Sequence, residues 1–333
     1  MTEARFAVVR LGSLGDIVHT FPAVAALRQS FPLARITWLT HPRWVSLVAS
    51  SNLASEIWPL DSRDLRSVRR VIAELRISHA EAVVDYQGLW KSALPGFLAG
   101  ISRRIGFSSS TIREYGVPIL YTDRVKCLST HIADQNGELS RHLGATHAVG
   151  KVTLDVSKDD EKMVRRQLEN ESMPSYIVLS PGGGWRSKCW PAERFGALCR
   201  SIRDELGMRC VINYGPGEEE LLASLISASG DSQPLGWNGE LGQLMALLKD
   251  AQCVVAGDTG PLHLAVALRA PVVALFGPTD PARNGPYSPN ELVLRSPTAV
   301  TTYRRGSTAD PALLDLSVEQ VFAALKKRLV GPL

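Results

Sequence analysis

Residues 6–20 read FAVVRLGSLGDIVHT. Apolar residues ending in an arginine give a strand pattern over 6–10, a glycine-serine turn follows, and the segment then runs into a helix expected over 19–30. Strand, small-residue turn and helix make up a parallel βα unit, so this stretch points to an α/β fold. The alternation continues with strands expected at 35–39, 55–60 and 81–85 and helices near 63–76 and 88–100. A second series then starts afresh. It has strands at 176–180, 208–213, 252–257 and 271–276, and helices near 192–206, 217–228, 240–250 and 260–269. Between the two lies GATHAVGKVTLDVSKDD (144–160), whose glycine, threonine, serine and charge suit a linker. The expected architecture is therefore two Rossmann-like domains, 1–155 and 156–333, facing a central cleft. The stretch SVEQVFAALKKRL (317–329) spaces Val318, Val321, Phe322, Leu325 and Leu329 as a closing helix behind a Ser317-x-x-Gln320 capping pattern.

Composition narrows the function classes. A chain of 333 residues is long enough for two domains, and 45% hydrophobic with 21% charged residues is ordinary globular usage. No run of ~18 apolar residues is present to span a membrane, and MTEARFAVVR lacks the pattern of a signal peptide, so a cytoplasmic location is expected. The five cysteines are scattered without a C-x-x-C pair, which suggests free core thiols rather than a disulfide framework or a zinc site. A net charge of +4, dispersed along the chain, does not argue for nucleic acid. An anionic small or lipid-like substrate fits it.

The glycine-rich segments exclude two common chemistries. RLGSLGD carries Gly12 and Gly15 but no G-x-G-x-x-G, and no G-x-x-x-x-G-K-[ST] occurs, so dinucleotide and P-loop signatures are missing. VVAGDTGPLHLAVAL (254–268) instead runs from a strand through Asp258, Thr259 and Gly260 into a helix beginning near Pro261. Uncapped N–H groups there would suit an anion such as a diphosphate; alternatively, Asp258 or Thr259 serves as the helix cap. Asp16 at the tip of the first turn has the chemistry of a general base, and it too could cap a helix.

Seven stretches occur in order along the chain: RLGSLGDIVHTFPAVAALRQSFP (10–32), VVDYQGLWKSA (83–93), HIADQNGEL (131–139), KCWPAERF (188–195), YGPGEEELL (214–222), AGDTGPLHLAVAL (256–268) and LFGPTDPARNGPY (275–287). Together they resemble glycosyltransferase family 9, the ADP-heptose:lipopolysaccharide heptosyltransferases, with QGLWKSA resembling the heptosyltransferase I branch. The resemblance implies a GT-B fold with an N-terminal acceptor domain and a C-terminal nucleotide-sugar domain. It further implies an inverting enzyme that needs no metal or cofactor, with ADP-heptose as donor and a Kdo-lipid A type acceptor. Asp16 takes the place of the family's base, and Ser13 would orient the acceptor. Lys188 would reach the diphosphate or the transferred sugar, and Glu218 a ribose hydroxyl. Thr259 and Gly260 would offer backbone donors. Asp258 would hold heptose hydroxyls or organise its loop, and His263 would contact phosphate or pack in the core.

On the acceptor side, Arg66 and Arg70 share a helix face at i, i+4, and Lys91 and Arg113 fall in stretches that resemble acceptor-binding ones. Trp90, Leu94, Phe97 and Leu98 would line a route for lipid chains or pack as helical core; any membrane contact would be peripheral and electrostatic. The chain departs from relatives in two places. Glycines occupy 182–184 where some relatives carry hydroxyl residues, and residues 295–317 lack the cysteines that many relatives show there. Three alternatives stay open: a family member using another donor or acceptor, a non-catalytic nucleotide-sugar-binding protein, and a nucleotide-sugar isomerase.

Overall fold

The computed structural model describes residues 3–109, 112, 114–147, 152–288 and 291–330. The chain divides between Asp155 and Val156 into two compact units.

In the first unit the strands are β1 (Arg5–Val9), β2 (Arg35–Thr40), β3 (Glu56–Pro59), β4 (Ala82–Asp85), β5 (Arg103–Phe107) and β6 (Asp123–Val125). Its helices are α1 (Leu14–Val18), α2 (Phe21–Ser30), α3 (Val45–Ser50), α4 (Leu65–Ile77), α5 (Trp90–Leu98) and α6 (Ile132–Leu143). The sheet order is β3-β2-β1-β4-β5-β6, parallel at every pairing, with Val9 opposite Asp85 across β1 and β4. Both faces are covered, so the central strands are apolar on both sides: Ala7, Val8, Val9 and Val84 are fully buried. One face packs Val9, Leu39 and Val83 against Val71 and Leu75 of α4.

The second unit repeats this plan. Its strands are β7 (Tyr176–Ser180), β8 (Arg209–Asn213), β9 (Leu235–Trp237), β10 (Cys253–Gly257), β11 (Val272–Phe276) and β12 (Leu292–Arg295). Its helices are α7 (Lys158–Asn170), α8 (Ala192–Leu206), α9 (Glu219–Ala228), α10 (Leu241–Lys249), α11 (Gly260–Ala267), α12 (Pro281–Asn284), α13 (Pro311–Leu314) and α14 (Val318–Val330). The order β12-β11-β10-β7-β8-β9 is again parallel throughout. The first strand of each unit is central, flanked by the second and the fourth. That arrangement makes a topological switch point between β1 and β4 and another between β7 and β10. Open α/β sheets bind ligands outside the carboxyl ends of the strands at such a point.

Three expectations are refined. The helix read over 19–30 is α2, starting at Phe21, with a separate short helix, α1, ahead of it; Pro22 lacks an N–H and its ring opposes a carbonyl one turn back, so the two do not run on as one. The 144–160 segment is not linker to its end: Ser157 accepts from the N–H groups of Asp159 and Asp160 and starts α7. Trp90, Phe97 and Leu98 are exposed rather than core, and Leu94 alone of that set packs on the small cluster of Ala93, Val117, Leu120 and Tyr121. The Ser317–Gln320 pattern forms as a reciprocal capping box, with Ser317 N–H donating to Gln320 Oε1 at 2.9 Å and Gln320 N–H to Ser317 Oγ at 3.2 Å. No described helix is long and apolar enough to cross a membrane.

Candidate functional site

In the first unit the chemistry gathers at the β1 carboxyl end. Asp16 lies in the first turn of α1, and its side chain is 42% exposed. Oδ2 accepts from Ser13 N–H and Ser13 Oγ, each at 3.0 Å, and Oδ1 pairs with Arg10 Nη2 at 2.7 Å. A carboxylate offers about four lone-pair sites, so one remains on the exposed side for a further donor. Burial works against the charge, yet Arg10, Ser13 and His19 outweigh it and hold Asp16 below the ordinary carboxylate value. Ser13 thus spends its proton on Asp16. Gly12 has φ of +151°, and a Cβ there would come within 2.9 Å of Trp44 Nε1, so both the turn and the Trp44 indole demand glycine.

Residues that sequence reasoning passed over build the support for this turn. Arg10 continues β1 and is buried; its Nη1 donates to the Tyr86 carbonyl beyond β4. Gln87 Oε1 accepts from Leu11 N–H at 2.7 Å, and Gln87 N–H donates to Asp85 Oδ1 at 2.9 Å. Asp85 is fully enclosed, also accepting from Gly88 N–H, Ser92 Oγ and Tyr121 Oη; burial raises its pKa despite these bonds. The HIADQNGEL stretch is α6 and its lead-in, whose Asn136 Nδ2 donates to the His19 carbonyl at 3.1 Å and pins the α1–α2 joint. The signal for Arg10 was a charge directly after four strand residues destined for burial.

The acceptor-side residues are scattered. Ser13 sits on Asp16, whereas Arg66, Arg70 and Lys91 make no hydrogen bond to it. Arg66 is exposed on α4. Arg70 donates through Nη2 to the Pro59 carbonyl at 2.7 Å and meets Glu74 at 3.4 Å, ties internal to the fold. Lys91 is exposed in the first turn of α5. Arg113 lies outside the described residues.

In the second unit three loops meet at the carboxyl ends of the neighbouring strands β10, β7 and β8. Lys188 Nζ reaches Asp258 Oδ2 at 2.5 Å, and His263 Nε2 lies 3.3 Å from Asp258 Oδ1, all three side chains largely buried. Burial opposes the Asp258 charge, but His263 and Lys188 hold its pKa far below the usual range. The capping alternative is answered: Asp258 faces Lys188 and His263, Thr259 Oγ1 donates to the Gly257 carbonyl at 3.3 Å, and among the described residues no side chain caps α11. Its first N–H groups and positive dipole end are thereby left for an anion. Gly257 admits the Lys188 carbonyl, which a Cβ would meet at 2.9 Å.

Gly182 and Gly183 also act sterically, whereas a Cβ on Gly184 would meet nothing within 4 Å. A Cβ on Gly182 would fall 2.1 Å from Glu218 Oε1, and one on Gly183 would meet Cys189 Sγ at 3.0 Å. Glu218 follows β8, and its Oε2 accepts from Gly215 N–H at 2.8 Å. An acidic side chain after the second strand is where dinucleotide folds bind a ribose hydroxyl. Trp185 and Arg305 were missed: Lys188 Nζ lies 4.2 Å from the centre of the Trp185 ring and Arg305 Cζ 5.4 Å, giving an aromatic plate with two cations.

The sequence model for glycosyltransferase family 9 (heptosyltransferase) matches residues 68–312. Lipopolysaccharide heptosyltransferase 3 of Escherichia coli K12 is 25% identical over 289 residues, 83% of each chain. Lipopolysaccharide heptosyltransferase 1 of the same strain is 27% identical over 310 residues, 88% of this chain and 94% of that one. The solved structure of E. coli heptosyltransferase WaaC with ADP superposes with a TM-score of 0.76 at 24% identity, covering 97% of this chain and 99% of that one.

Proposed function

The chain belongs to glycosyltransferase family 9, a heptosyltransferase family, and from that premise we propose that it transfers heptose from ADP-heptose to the Kdo region of a lipopolysaccharide precursor, with inversion. The observation that carries this reading is the Lys188–Asp258–His263 cluster beside an α11 N-terminus that no side chain caps. It has the chemistry of a diphosphate site. Lys188 spends two of its three N–H donors on Asp258, on Oδ2 at 2.5 Å and on the backbone carbonyl at 3.5 Å, which leaves one for a phosphate oxygen, and the helix end adds N–H groups. As ADP departs, these preorganised groups would take up the developing charge. Glu218 would accept from a ribose hydroxyl. The relative solved with ADP supports the choice of nucleotide.

On the first unit, the acceptor hydroxyl would donate to the remaining lone pair of Asp16 and lose its proton there as it attacks the anomeric carbon. The cations Arg66, Lys91 and Arg113 would meet the acceptor's anionic groups, and Arg70 would contribute to the same positive face while bracing β3; Ser13, with both its donors on Asp16, would orient the acceptor through that carboxylate. The exposed Trp90, Phe97 and Leu98 lie on one face of α5. Arg104 stands 5.5 Å from the Phe97 ring, and Arg76 donates to the Leu98 carbonyl. Apolar rings flanked by cations suit peripheral contact with an anionic leaflet on the cytoplasmic side.

A donor panel tests the proposal. Purified protein is given ADP-heptose, ADP-glucose or UDP-glucose with a Kdo-containing lipid A precursor, in detergent or in anionic vesicles, and the product is weighed by mass spectrometry. The expected product gains one heptose from ADP-heptose only, faster in vesicles. A hexose product would establish another donor, an isomerised nucleotide sugar with no acceptor-dependent release would point to an isomerase, and nucleotide release without acceptor to a hydrolytic side reaction.

A further inference from the structure

Asp16 is held by a residue that no sequence motif singled out. Arg10 has a buried side chain, and its Nε is enclosed without a hydrogen-bond partner among the described residues. Its two Nη groups run in different directions, one to the Tyr86 carbonyl and one to Asp16 Oδ1 at 2.7 Å. The Tyr86 end is itself fixed, because Tyr86 N–H donates to the Val9 carbonyl at 3.1 Å and Gln87 Oε1 accepts from Leu11 N–H, tying the segment after β4 to the chain on both sides of Arg10. A buried guanidinium with an unmatched donor, paired to a half-exposed carboxylate, is a poor device for stability. It is a good device for setting a carboxylate's direction and charge.

We propose that Arg10 is a positioning residue of the transfer reaction: braced on the Tyr86 carbonyl, it orients Asp16 so that one Oδ1 lone pair faces the acceptor hydroxyl, and it keeps that carboxylate ionised between turnovers. Arg10 and Ser13 together occupy three of the four acceptor sites of Asp16, so the acceptor meets the fourth. Among the described residues the other titratable group facing Asp16 is His19, the C-cap of α1, whose ring stands edge-on to His131 at 5.2 Å. Both histidines stay in every variant compared below, so a difference between variants reports Arg10.

The inference rests on Asp16 being the base of heptosyl transfer, so the test has one arm that needs no turnover. The Asp16 side-chain carbon is titrated by NMR in carbon-labelled protein, with the signal assigned from D16N, in wild type, R10M and R10K. Removing a guanidinium in contact should raise the Asp16 midpoint by about 1–3 pH units. The acid limb of kcat/KM should move up with it in R10M, because that limb reports the free enzyme's base. R10K should keep the midpoint near wild type and lower kcat by about 10-fold or more, since a single ammonium cannot hold the fork geometry. An unmoved midpoint in R10M overturns the proposal, as does wild-type kcat in R10K; should R10M fail to fold, R10K decides. Absence of transfer in the wild type would overturn the functional reading instead, while the NMR midpoint still tests Arg10.

Discussion

At the scale of single residues, two carboxylates carry the account, and both are held ionised against burial by a cation. Asp16 leans on Arg10 and Asp258 on Lys188, with side chains 42% and 8% exposed. The difference in exposure separates their proposed roles: Asp16 has an exposed side where a substrate would meet it, whereas Asp258 is enclosed and would serve to hold Lys188 in place. Depressed carboxylate values have a sign in stability. The unfolded carboxyl titrates near ~3.9, so the stabilisation is complete above that pH and is lost as pH falls through the lower folded value. Replacing Lys188 by methionine leaves Asp258 buried with His263 alone, which should cost about 3–5 kcal/mol near neutral pH. The Asp258 pKa then rises, so K188M should lose less stability than wild type between about pH 4 and pH 2. Urea denaturation at several pH values measures both, and parallel curves for the two proteins would refute the pairing.

At the scale of elements, close approach explains what composition cannot. Gly196 of α8 faces α9, where an added Cβ would meet Ala228 Cβ at 2.6 Å and the Leu225 carbonyl at 2.7 Å. The obstacle is largely backbone, so G196A should force the helices apart and cost about 1–3 kcal/mol, although alanine is the better helix former. S317A, which removes half of the α14 capping box, should cost about 1 kcal/mol. Denaturant midpoints order the two, and a stabilised G196A would contradict the packing described. Legibility followed the same physics. Buried strands such as YIVLS and VVALF announce themselves because both faces are covered, and the strong βα units around them were readable. Strands β5, β6, β9 and β12 were not, being the short or charged segments RRIGF, DRV, LGW and LVLR. Helix α7 buries only Val164 and Leu168 and so shows no apolar stripe. In the site, Asp16, Lys188, Glu218 and Asp258 stood out as chemistry at strand ends. Arg10 did not, because its partner Tyr86 is 76 positions away and meets it only through the pairing of β1 with β4.

At the scale of the whole molecule, the chain uses one strand order twice and assigns different chemistry to the two switch points. The first holds a carboxylate with an open acceptor site; the second holds a cation, an enclosed carboxylate and an uncapped helix end. Under the proposed function these would act as a base on one unit and an anion site on the other, the division of labour that group transfer between two substrates requires. It also makes the central claim separable, because losing the base should leave nucleotide binding intact. The decisive measurement is acceptor-dependent ADP release from ADP-heptose by wild type and D16N, a near-isosteric change, with ADP affinity measured alongside. Release should fall by about 10²-fold or more in D16N while ADP binds as before. Acceptor-dependent release at the wild-type rate in a folded D16N protein would contradict the assignment of Asp16 as the base.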